Sequence, residues 1–456
     1  MNNLSESLFS SICRSIKKEC IIKSNTIPHD RVLFYLMKLF TLAAPRVRED
    51  ENDTKKYAEF IIDKISSFLM SNHVSMVTIE IQIYFDDHHI SKEAVLEKRQ
   101  QIVQLTTDGF LQHILQKRIT KNKEDSDQLY HLISCYIVLF SGAGDPTDDE
   151  VLKETTVALK SILSTKELVR FASKANSVKE VQLGDVCSIV TGIRIFNQDS
   201  AKKSANESEL FSPLQKALQK CNNFLEGKSR EMEERSERLI KICLLYRDSS
   251  SEDRNIEEIN KIKAYVVLLQ QILFFFRILI QECHMLNEEF QECCVILDQR
   301  LTRVRKTVKS RTAIPVVEIY PQFKDISLSC DKLQEISIVL NHLSDLVYDI
   351  CEIFDKVSEP NLENWSPEMK LSLSNQTSKD VISVENRDCT LITSENADDF
   401  YNILVEYNGY CVVTFVEEEG IVTPGIKEYG LIKYKDKHYC FSTTVNASKF
   451  CLRPEK

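Results

Sequence analysis

Between Pro213 and Pro315 the chain has no further proline and a single glycine, Gly227. Proline removes a backbone donor and glycine frees the backbone, so a stretch this long without them is expected to form long, uninterrupted helices. Within it Leu286, Phe290, Cys294, Leu297, Leu301, Val304 and Val308 recur at spacings of three and four, one apolar stripe that needs a helical neighbour. The rest of the chain shares the tendency. With 10 glycines and 10 prolines in 456 residues, it lacks the turn formers of a collagenous or turn-dense all-β protein.

Residues 1–140 also read as helices, with Leu8, Ile12 and Ile16 on one face and an apolar run from Val32 to Leu42. Val77 to Phe85 reads two ways: VTIEIQIYF alternates like a strand, while Ser75 can cap a helix, and helix is the reading carried forward. In SGAGDPTDDE, Gly142 and Gly144 stop a helix, and Asp145 with Pro146 is expected to start the next. Ser200 to Ser212 is polar and reads as an exposed connection, as does DSSSED over 248–253. Pro315 and Pro321 are expected to close the long-helix region, followed by a helix from Ile326 to Asp355 carrying Leu328, Ile338, Leu343, Leu346 and Ile350. Beyond Asn396 the composition changes. Gly409, Gly420, Gly425 and Gly430 fall close together, and YCVVTFV (410–416), LIKY (431–434) and HYCFS read as strands of a small antiparallel sheet.

The expected fold class is therefore mainly α, multi-helix bundle domains followed by a small C-terminal α+β domain. Its segments are an N-terminal helical domain over 1–200, a long-helix bundle over 213–358, a linker over 359–389 rich in Ser, Asn and Thr, and the α+β domain over 390–456.

A formal net charge of −10 argues against nucleic acid as a general partner, because phosphate binding needs a surplus of Lys and Arg. The 15 cysteines are scattered, without a Cys-x-x-Cys pair, and read as reduced thiols in a cytoplasmic compartment. The N-terminus lacks the long apolar run of a signal peptide. Tyr265 to Ile280 is the one candidate membrane span. It is short and carries Gln270, Gln271 and Arg277, so a buried bundle helix is expected and no membrane partner.

Asp86 to His89, DDHH, has metal-ligand residue types, but consecutive positions cannot all face one ion, and a solvated loop is expected. No Walker, nucleophile-elbow or His-Glu-x-x-His pattern occurs, so neither catalysis nor a cofactor is expected. One charge pattern stands out. Arg300, Arg303, Arg305, Lys306, Lys309 and Arg311 surround the apolar stripe, and no acidic residue occurs from Gln299 to Val317. Such a run is either a solvated face or a positive contact patch on an acidic molecule.

Several segments resemble, in the same order, the cilia- and flagella-associated protein 206 family: QIYFDD (82–87), SGAGDPTD (141–148), VTGIRIFNQD (190–199), TVKSRTAIPVVEIYPQF (307–323) and the tail from Tyr407 to Phe450. Members of that family generally continue beyond the position of Lys456. The tail is also similar to YHS-type metal modules, but Ser442 stands where such modules place a ligating cysteine, so a packing or protein-binding module without metal is expected.

The resemblance implies a non-enzymatic structural protein of the ciliary or flagellar axoneme. It would anchor the base of the second radial spoke and an inner-arm dynein to the doublet microtubule. The implied partners are tubulin, radial spoke base proteins and inner-arm dynein, and the basic run would then be the contact with acidic tubulin. Two rival readings are a cytosolic helical-bundle adaptor in trafficking or tethering, and an enzyme using the C-terminal domain.

Overall fold

The computed structural model describes residues 6–24, 28–43, 51–70, 73–119, 123–205, 211–248, 256–310, 313–360, 382, 384, 388–393, 400, 403–417 and 425–455. The glycine-poor stretch forms two long helices, α10 (Ser212–Asp248) and α11 (Ile256–Ser310), followed by α12 (Val316–Asp355). Along α11 the stripe runs through Cys283, Leu286, Phe290, Cys293, Leu297, Leu301 and Val304, all buried. This corrects the sequence reading at two places: Cys293 takes the inward position expected of Cys294, and Val308 is 44% exposed. Regular helical geometry explains the slip, since spacings of three and four are both compatible with one face only within a turn or two.

Pro321 lies inside α12 and does not end a helix. Its ring crowds, and leaves without a donor, the carbonyl four residues back, at Val317. Val317 is 86% exposed, so water can satisfy that group and the helix continues. Further along, Ile326, Cys330 and Leu333 face inward and Leu328 is 56% exposed, the reverse of its expected place.

The chain divides into two units: Met1–His88 with Gly227–Arg277 and Tyr348–Lys456, and His89–Glu226 with Ile278–Val347. In the first unit α1 (Glu6–Ser24), α2 (Asp30–Ala43), α3 (Glu51–Met70) and α4 (Val74–His88) enclose Ile16, Leu36, Met37, Ile61 and Ile65. The ambiguous Val77–Phe85 is helical. The helix begins at Val74, before the expected cap Ser75, and His73 takes that role: its Nδ1 accepts from the Ser75 N–H at 3.2 Å. Phe85 stacks on Phe275 of α11 with ring centroids 3.9 Å apart, fixing the face α4 presents to that helix.

The apolar centre of α11 lies in this unit. It is long and hydrophobic enough to qualify as a span, with a mean hydropathy of 1.7 over its most apolar window, and 56% of that window is buried. Buried Gln270 donates to Ser236 Oγ at 2.5 Å, and Arg277 reaches Glu233 and the Tyr410 hydroxyl, each at 3.2 Å. Each of these side chains has a protein partner for a donor group, as a core helix requires, although Gln270 Oε1 is buried without one.

The C-terminal segment of the same unit holds a three-stranded antiparallel sheet in the order β1 (Cys389–Ile392), β2 (Leu431–Tyr434), β3 (Lys437–Tyr439). Lys435 and Asp436, at φ 48° and 61°, make the β2–β3 turn; two left-handed residues match the twist of a tight hairpin. The run Tyr410–Val416 is not a strand. It forms α13 (Val412–Glu417), which places Cys411 and Thr414, three residues apart, on one side against α14 (Thr444–Leu452). Burial of that pair against Ser442 and Asn446 overrides the strand preference of the β-branched residues.

In the second unit α5 (Lys92–Gln116), α6 (Lys123–Ser141), α7 (Asp149–Ile162), α8 (Thr165–Ala172) and α9 (Asn176–Ala205) pack around Ile133, Ile137, Leu159, Leu168, Phe171 and Val190. The glycine stop after α6 is as expected, with Gly142 and Gly144 at φ 61° and 117°. The next helix starts later than expected. Asp145 closes a turn by accepting from the Thr147 N–H at 2.8 Å, and Asp148 is the cap, accepting from the Glu150 N–H at 2.9 Å. α9 continues through 200–205, where an exposed connection was expected; 206–210, most of the 248–253 loop and nearly all of the 359–389 linker lie outside the described residues.

Candidate interaction surface

The basic run occupies the last turns of α11 in the second unit. Buried Leu297, Leu301 and Val304 fix the helix rotation, and the cations then separate into two kinds. Arg300 turns onto α12, donating to the Asp325 carbonyl and, at 2.7 Å, to Ser329 Oγ. Arg305 turns onto α9, where it pairs with Asp199. Both are half-buried and hold helices together. Arg303, Lys306 and Lys309 are exposed, and among the described residues they form no ion pair. Arg311 lies outside the described residues.

Three cations within two turns, without an ion pair among the described residues, make a local positive face on a chain of net charge −10. Lys309 also lies in the last turn, where a cation favours the helix dipole by roughly 0.3–1 kcal/mol. That term accounts for Lys309 alone. Arg303 and Lys306 lie farther from the helix end, where the dipole fades.

Of the DDHH cluster, expected as a loop, Asp86, Asp87 and His88 form the exposed end of α4, and only His89 lies in the connection that follows. His88 stacks on Tyr84 at 4.0 Å and Asp87 pairs with Arg31, both within the first unit; His89, in the second, meets Glu282 at 2.8 Å. Asp86 faces the same Arg31 at 3.9 Å, and among the described residues no three of His, Cys, Asp and Glu converge as a metal site. In the C-terminal segment Asn446 Nδ2 donates to Thr414 Oγ1 at 3.0 Å and Ser442 Oγ at 3.2 Å. Burial pushes the Cys411 thiol up, but hydrogen bonds from Ser442 and Thr414 outweigh it and hold it below its ordinary value.

The segments 141–148, 190–199 and 307–323 all lie in the second unit. Gly192 of the second lies against Phe323 of the third, and Asp199 is paired with Arg305. The family model described as FAP206, a domain of unknown function, matches residues 211–456, more than half the chain. The chain belongs to the cilia- and flagella-associated protein 206 family. Curated relatives of that name match along nearly its whole length. The protein of Bos taurus is 26% identical over 460 residues, 99% of this chain and 74% of its own, and that of Homo sapiens is 25% identical over 469 residues with the same coverage. The Tetrahymena thermophila protein is 22% identical over 427 residues, 87% of this chain and 65% of its own. No solved structure matches.

In this member of the cilia- and flagella-associated protein 206 family, one feature escaped the sequence reading. Cys221 of α10 and Cys283 of α11 approach to 3.7 Å, and Ser344 donates to Cys221 at the same distance. The Cys283 contact, against the opposing effect of burial, brings the Cys221 thiol below its ordinary value, while Cys283 is pushed up by the same contact and by burial. Two cysteines 62 residues apart give no local motif, and only the pairing of two long helices brings them together.

Proposed function

We propose that the protein is a non-enzymatic structural component of the ciliary or flagellar axoneme. In this reading it attaches the base of the second radial spoke and an inner-arm dynein to the doublet microtubule, and so supports ciliary motility. The observation that carries the proposal is the co-linear similarity to curated cilia- and flagella-associated proteins over 99% of the chain. Long helices suit the role, since each turn adds length and rigidity without requiring a binding cleft. Arg303, Lys306 and Lys309 supply the contact with tubulin's acidic surface. Exposed cations of this kind attract a partner over a Debye length of about 8 Å at physiological ionic strength.

The test is fractionation of cilia from cells carrying the tagged protein. Retention with axonemes after detergent and a salt wash supports the reading; full release by detergent alone contradicts it.

A further inference from the structure

Arg194 of α9 is 2% exposed, yet its guanidinium is poorly partnered. Its Nη2 lies 3.6 Å from Glu154 Oε2, and neither Nε nor Nη1 has a hydrogen-bond partner. Glu154 meanwhile accepts from Gln198 Nε2 at 3.0 Å. A buried guanidinium with two nitrogens, and so three N–H donors, unmet is rare, because each unmet donor forfeits its hydration without return.

The same side chain forms part of the wall of a cavity of about 570 Å³, entirely within the second unit. Gly142 and Gly144 bring bare backbone to it, Ile195, Phe211, Leu214 and Leu340 line it with hydrocarbon, and Gln334 and Asn341 add carboxamides. Among the described residues of the wall Arg194 carries the only charge. The volume is in the range of small-ligand sites, and an apolar wall with a few polar groups is their usual composition.

We propose that this cavity binds a carboxylate carried on an apolar body, with the Arg194 guanidinium pairing the carboxylate. A single cation matches a monoanion, and the planar fork of arginine matches a carboxylate. A phosphate dianion would need more donors than this wall offers, and a cation would face Arg194 directly. The carboxylate can belong to a free amphipathic acid or to the chain end of a partner peptide finishing in an apolar residue. This site is independent of the axonemal reading and of the basic face of α11.

Calorimetric titration of the full chain tests it with octanoate, with 1-octanol, and with acetyl-Gly-Gly-Leu as the free acid and as the amide. At least one of the two acids should bind saturably at one per chain, its neutral counterpart at least about tenfold more weakly. Arg194→Met should weaken that binding by about 10- to 100-fold, the worth of a charge-assisted hydrogen bond. Because that change alters a buried site, Ser337→Phe provides a second variant that fills the cavity with Arg194 in place, and it should abolish binding by occlusion. Binding of octanoate alone assigns the site to a free acid, and of the peptide acid alone to a partner's chain end. Absence of saturable binding by either acid overturns the proposal and leaves water as the partner of Arg194. Wild-type affinity in both variants overturns it equally.

Discussion

Gly192 of α9 lies so near Phe323 of α12 that a Cβ at this position would stand 2.0 Å from the Phe323 carbonyl oxygen. A backbone atom cannot swing aside as a side chain can, so the two helices must separate if residue 192 gains a methyl group. Gly192→Ala is expected to destabilise the second unit by roughly 1–3 kcal/mol. Gly184, one helical stretch earlier in α9, has nothing within 4 Å of its would-be Cβ. Gly184→Ala should therefore stabilise by roughly 0.5–1 kcal/mol through helix propensity alone. Denaturant unfolding of both variants checks the pair, and equal effects would refute the close approach.

The cations of α11 divide by role. Arg305→Glu places a carboxylate beside partly buried Asp199 and should cost about 1–3 kcal/mol, the worth of a hydrogen bond to a charged group and more where repulsion adds. The triple reversal of Arg303, Lys306 and Lys309 to Glu should shift stability by no more than about 0.5 kcal/mol. It should lower co-sedimentation with microtubules, and the binding it loses should be the salt-sensitive part. Unaltered binding by the triple variant would return this face to plain solvation.

How far the sequence disclosed these features follows from their range. Scarcity of glycine and proline acts locally, so the long helices and the small C-terminal sheet were legible. Strand β1 was not legible, because its partner β2 is some forty residues away and pairing rather than composition makes it a strand. Tyr410–Val416 misled because β-branched residues favour strands only where a sheet edge receives them. In the basic run, the sign of the charges was plain but the roles were not. Arg303 and Arg305 look alike until Asp199, more than a hundred residues earlier, selects one of them. Arg194 did leave a trace: it stands in a helix with Val190, Thr191, Asn197 and Gln198 at the neighbouring turns, so no acidic residue on its own helix can pair with it.

Cys221 should be the fastest of the described cysteines to alkylate near neutral pH. The Cys283 contact holds its thiol below the ordinary thiol range, so its alkylation rate should rise with pH around a midpoint lower than that of a free thiol. Cys283→Ala removes the main cause and should move that midpoint upward toward the ordinary thiol range. Iodoacetamide labelling followed by peptide mass spectrometry across pH 5–9 reads both effects. A Cys221 rate that rises only above pH 8 in the unsubstituted chain would contradict the assignment.

The role in the axoneme is tested most directly by cryo-electron tomography of cilia from cells lacking the protein. Averages of the axonemal repeat are predicted to show cilia of near-normal length in which the second radial spoke is missing or displaced at its base and the neighbouring inner-arm dynein is depleted. Averages with every spoke and inner-arm dynein in place would contradict it.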